Sequence, residues 1–108
     1  MTTFDDRERA YESKFVLDQD QEFKATSRRN RLLGQWAGEV LGKSGEALAE
    51  YAREVVRSDF EHPGEDDVAR KVEADLAGRP AAAQVRSKMA ELMRQAREAV
   101  AKDVVGHN

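Results

Sequence analysis

The sequence contains no cysteine, which excludes disulfides, thiolate nucleophiles and thiolate metal ligands together and suits a reducing compartment. Its two histidines, His62 and His107, stand alone without further ligands at helical spacing, so no metal centre is expected. Neither sign of charge dominates. With 21 acidic residues against 18 basic ones the net charge is -3, too mild to draw the chain to nucleic acid or anionic lipid over distance. No apolar run approaches the ~20 residues needed to cross a bilayer. The opening Met1-Thr2-Thr3-Phe4-Asp5-Asp6 also lacks the basic-then-apolar order of a secretory leader. The expectation is therefore a soluble cytoplasmic chain, with partners chosen by shape and local patches.

The residues that are abundant point one way. Apolar residues make up 40% and charged residues 36% of 108 positions, rich in Ala, Glu, Arg and Leu and poor in aromatics, which is the composition of helices. A chain of this length supports one modest core and buries roughly two-thirds of its unfolded surface. Three strong interruptions, Gly42-Lys43-Ser44-Gly45, His62-Pro63-Gly64 and Gly78-Arg79-Pro80, leave four segments with helical patterning. The fold class read from this is all-α: a four-helix bundle with a long first helix.

Within the first segment Leu32, Leu33, Trp36, Ala37, Val40 and Leu41 fall on adjoining turns, with Trp36 expected in the core. Gly34 and Gly38, one turn apart, would let another helix approach closely. The second segment carries Leu48, Tyr51, Ala52, Val55 and Val56 as one stripe, with Ser44 as N-cap. In the third, Glu65-Asp66-Asp67 suits a helix amino terminus, and Val68, Val72 and Leu76 share a face. In the last, Pro80 suits a first turn, Val85, Met89, Leu92, Met93, Ala96, Val100 and Val104 keep helical spacing, and Gly106-His107-Asn108 is expected to fray.

From Met1 to about Phe23 the stripe thins to Phe4, Tyr11 and Phe15, with charged residues and Gln between. Three aromatics over that length do not anchor a helix to a core. The domain reading is an arm over residues 1–22, mobile, disordered or nascent helix until it meets a partner, and a four-helix domain over 23–105. A frayed terminus without function is the plain alternative.

Other motifs have bland explanations. Gly42-Lys43-Ser44 resembles part of a phosphate loop, but G-x-x-x-x-G-K-[ST] requires glycine where Ala37 stands. A helix end followed by a helix start accounts for it, leaving a weak anion or nucleotide contact near Lys43 as the minor alternative. Arg28-Arg29-Asn30-Arg31 is the densest basic patch, and arginines in succession point around a helix, so a solvated face or an acidic protein rim is favoured over nucleic acid. No catalytic set and no cofactor site is read from the chain, and the reading is of a non-enzyme.

Phe4-Asp5-Asp6-Arg7-Glu8-Arg9-Ala10-Tyr11-Glu12-Ser13-Lys14-Phe15 resembles the opening of the ζ subunit of alphaproteobacterial F1Fo-ATPases. The likeness continues through Phe23-Lys24-Ala25, Arg28 to Ala37, Leu41 to Gly45, Tyr51 to Glu61 and Pro63 to Val68, in order over nearly the whole chain. Val16-Leu17, Gln21 and Arg79-Pro80-Ala81-Ala82 depart from the family pattern. The resemblance implies a four-helix protein that inhibits ATP hydrolysis, its arm folding into the interface of α, β and γ subunits of F1 and stopping rotation. It would lie in the cytoplasm, peripheral to the inner membrane through the F1 sector. The residues it assigns to partner binding are Phe4, Asp5, Asp6, Arg7, Glu8, Tyr11, Lys14 and Phe15. A structural or assembly subunit without inhibitory force is the first alternative, and a helix-turn-helix DNA-binding regulator around Gly42 to Gly45 the second.

Overall fold

The computed structural model describes residues 17–61 and 64–106, and side chains as far as 103. Four α-helices follow one another: α1 (Gln19–Val40), α2 (Gly45–Glu61), α3 (Glu65–Asp75) and α4 (Val85–Gly106), with a 3-10 turn at Pro80–Gln84 ahead of the last. No strand occurs among the described residues, and the all-α bundle with a long first helix is the observed architecture.

Helix α1 ends where its glycine dictates. The Gly42 N–H donates to the Glu39 carbonyl and the Lys43 N–H to the Gly38 carbonyl, both at 2.9 Å, which satisfies two carbonyls the helix leaves open. This geometry puts Gly42 at φ 82°, a conformation that costs a side chain dearly and glycine nothing. The chain turns at once into α2, whose first bond runs from the Leu48 N–H to the Ser44 carbonyl at 3.3 Å.

Helix α1 packs chiefly against α2 and α4, and α3 closes the remaining side. The main core joins Leu33 and Ala37 of α1 to Tyr51 and Val55 of α2, Val68 and Val72 of α3, Leu76 beyond it, and Val85, Met89 and Leu92 of α4. These are the stripes the periodicity predicts. Leu32, Trp36, Val40 and Leu41 lie only partly buried against that core. Trp36 is thus a margin residue and not an interior one, with the Lys88 ammonium 5.7 Å from its ring centroid.

The two long helices outrun the short pair and build a second cluster from Ala25, Met93, Ala96 and Val100, against which Leu17 packs. An ion pair from Arg97 to Glu22, at 2.6 Å, ties α4 to the first turn of α1 at the same end. Helix α4 runs to Gly106, into the tail expected to fray. Its start is a 3-10 turn with Pro80 at the first position, because proline fixes φ there and donates no hydrogen bond.

Gly34 and Gly38 provide the close contact between α1 and α2. A Cβ on Gly34 would stand 2.7 Å from the Ala52 Cα, and one on Gly38 would stand 2.5 Å from a Leu48 methyl carbon. The backbone of α2 therefore lies where a larger residue on α1 would push it away.

Candidate partner-binding surface

The eight residues assigned to partner binding, Phe4, Asp5, Asp6, Arg7, Glu8, Tyr11, Lys14 and Phe15, lie outside the described residues. What is described is the point to which they are tethered. Leu17 is half-buried on the second cluster. Asp18 then caps α1: its side chain accepts from the Gln21 N–H at 2.8 Å, while the Gln21 side chain accepts from the Asp18 N–H at 3.0 Å. This reciprocal pair satisfies two donors at the helix start and holds Asp18 extended, at φ -70° and ψ 178°. Helix α1 accordingly begins at Gln19, four residues before Phe23. The Asp18-Gln19-Asp20-Gln21 spacing is a legible capping box that the sparse aromatic pattern obscured.

The basic run resolves into distinct roles. Arg28 and Arg31 are exposed, whereas Arg29 is only 3% exposed and contradicts the expectation of a solvated face. Its guanidinium donates to Asn30 Oδ1 at 3.0 Å and to Glu65 Oε1 at 3.0 Å, so it joins α1 to the start of α3. Burial pulls the Arg29 pKa below its ordinary value, and the charge of Glu65, then Asp59, works against that pull. A charge can occupy this position because the partner carboxylate and the Asn30 amide replace lost water.

A second polar cluster joins α2 to α3. The Tyr51 hydroxyl donates to Asp75 Oδ2 at 2.8 Å, and Lys71 Nζ reaches both Asp75, at 3.0 Å, and Glu54, at 2.6 Å. The Lys71 and Lys43 ammonium groups stand 5.7 and 5.9 Å from the Tyr51 ring centroid. Burial, then the Asp75 bond, drives the Tyr51 pKa far up. For Lys71, burial pulls the pKa down, but the bonds to Glu54 and Asp75 outweigh it and the net shift is upward. Both groups keep their protons at neutral pH and donate to the Asp75 and Glu54 carboxylates, so the cluster ties α2 to α3.

The phosphate-loop likeness resolves into the turn described above, with Gly42 and Gly45 at positive φ and Lys43 directed to Tyr51. Among the described residues no group of three or more His, Asp and Glu side chains is placed to hold a metal ion. No described helix is long and apolar enough to cross a membrane.

The described residues thus form a small all-α bundle whose polar clusters tie helix to helix and whose first helix is capped at Asp18. The family model for ATPase inhibitor subunit zeta matches residues 1–99, and the chain belongs to that family. A solved solution NMR structure of a protein 49% identical matches over 76% of this chain and 96% of its own, with a TM-score of 0.67. No curated protein sequence matches. The family is one of inhibitor subunits rather than catalytic subunits, and such a subunit associates with the ATP synthase complex.

Proposed function

We propose that the chain restrains ATP hydrolysis by the F1Fo-ATP synthase, its residues before Val16 folding into the catalytic interface of the α, β and γ subunits and blocking rotation. The observation that supports this reading is the reach of the family match, which begins at residue 1 and so takes in these residues together with the bundle.

The physical means are simple. A segment that folds on binding lays Phe4, Tyr11 and Phe15 into a groove while Asp5, Asp6, Arg7, Glu8 and Lys14 meet charges on its rim. Truncating a buried aromatic anchor in such an interface typically costs about 2 kcal/mol or more. Obstruction of a rotor needs no chemistry from the inhibitor. The bundle gives the arm bulk and a fixed root at Leu17 and Asp18, on the cytoplasmic side of the membrane through the F1 sector. The DNA-binding alternative is disfavoured by α2 itself, where Arg53 is held by Glu46 and Glu50 at 2.8 and 2.7 Å.

The test is ATPase turnover of the cognate enzyme with and without added protein under hydrolytic conditions. Turnover should fall with added protein toward a plateau. Unchanged turnover despite demonstrable binding would instead assign a structural or assembly role.

A further inference from the structure

Among the described residues two large hydrophobic side chains stand out as exposed, Phe23 at 54% and Phe60 at 60%, and they meet each other across the α1–α2 junction. Their ring centroids are 5.7 Å apart and their planes tilted by 54°. Neither ring contributes to the two core clusters. Beside them lie two adjoining shallow depressions of 450 and 510 Å³, which share Arg31 and Val56 in their linings. Lys24 and Arg28 rim the first ring, and Arg57 the second.

Arg70, Arg86, Arg97 and Lys71 each reach a carboxylate within 4.0 Å. Lys24, Arg28, Arg31 and Arg57 are exposed and have no ion pair among the described residues. Lys43, Arg79 and Arg94 elsewhere likewise have no ion pair among the described residues, so what marks this face is four such cations gathered beside the exposed rings. Among the described residues Asp103 is the one carboxylate lining either depression. Two touching aromatics within a ring of unanswered cations form a surface suited to an apolar residue set among acids.

We propose that the Phe23–Phe60 face is a second docking surface for the same ATPase, and that it receives an acidic surface of the enzyme carrying at least one apolar side chain. This rests on the proposed function, because Phe23 is five residues from the Asp18 cap and therefore beside the root of the arm. An arm inserted into the enzyme brings this face against whatever borders the insertion point. A second copy of the chain is the poorer occupant, since a two-fold contact would set the four cations against four more. Tethered to the arm, even a weak contact here adds strongly to the whole, because the second event occurs at high effective concentration.

The experiment compares the full chain with F23S/F60S and with R28E/R31E/R57E, binding to the cognate F1 sector being read separately from inhibition. Because all five positions are exposed, circular dichroism should show unchanged helix content. Both variants should bind with Kd raised at least tenfold while maximal inhibition at saturation stays the same, and raised salt should weaken the charge-reversed variant less than the parent. Unchanged Kd in both variants, with inhibition intact, overturns this proposal alone. A parent chain that binds but does not inhibit overturns the inhibitory reading and leaves the docking test valid. Tighter inhibition by the variants would mean that the face holds the chain's own leading residues, and a parental dimer abolished by F23S/F60S would mean that it holds a second copy; each of these overturns the assignment to an acidic partner. A parent chain that does not bind at all overturns both.

Discussion

Gly34 and Gly38 look alike in sequence, but their surroundings predict different outcomes for alanine. At Gly34 the new Cβ meets the Ala52 Cα at 2.7 Å, and backbone yields only if α2 moves as a whole. At Gly38 it meets the end of the Leu48 side chain, which can rotate away. Alanine gains ~1 kcal/mol of helix propensity at either site, and overpacking costs about 1–3 kcal/mol where neighbours cannot relax. Gly34→Ala should therefore lower Tm, whereas Gly38→Ala should leave it near the parent or raise it. Equal losses in thermal unfolding would contradict the difference in contacts. Charges make a second residue-scale prediction. The Arg86 bond, then nearby Arg70, holds the Asp66 carboxyl below its usual range, and the Arg53 bond does the same for Glu50. A carboxyl depressed in the folded state lends stability that is complete above its unfolded pKa and lost as pH falls through the folded one. Stability should thus decline on acidification below about pH 4, and Arg86→Met should lose less than the parent between neutral pH and pH 3. Urea unfolding midpoints at the two pH values check this, and identical losses would contradict it.

Elements were legible wherever periodicity and breakers agreed. Val68, Val72 and Leu76, and likewise Val85, Met89 and Ala96, are buried as their spacing requires, because an apolar stripe at 3.6-residue period has only one way to leave water. The start of α1 was harder to see. No apolar stripe marks Gln19 to Glu22, and the helix is set there by Asp18 and Gln21 bonding each other's backbone. Replacing Asp18 with alanine should cost about 1 kcal/mol and should speed amide exchange in the first turn of α1 while leaving α2 and α3 unchanged. Uniform exchange behaviour would mean that the cap does not hold the element. Arg29 was illegible for another reason. Its burial depends on Glu65 arriving from α3, a tertiary pairing that neighbouring residues in the chain do not encode. Trp36, expected in the core from its flanking leucines, lies only partly buried against it with Lys88 of α4 over its ring, a tertiary placement that the spacing does not encode. The aromatic pair of Phe23 and Phe60 shows the same limit, since the two residues are far apart in sequence and meet only through the α1–α2 pairing.

At the scale of the whole molecule, the proposed function divides the work between the bundle and the leading segment. Among the described residues the two hydrophobic clusters draw on positions from Leu17 to Val100, and the polar ties through Arg29, Lys71, Arg86 and Arg97 join helix to helix. The fold was largely readable from the sequence, whereas the residues proposed to bind a partner lie before the described region and rest on an aromatic stripe and a family likeness. The central claim is that those residues are the effector and the bundle their support. It is tested most directly by removing the residues before Phe15 and measuring both ATPase turnover of the cognate enzyme and the helix content of the shortened chain. The account predicts that inhibition is lost while the thermal unfolding and helical signal of the bundle persist. A shortened chain that inhibits as strongly as the full one would contradict it.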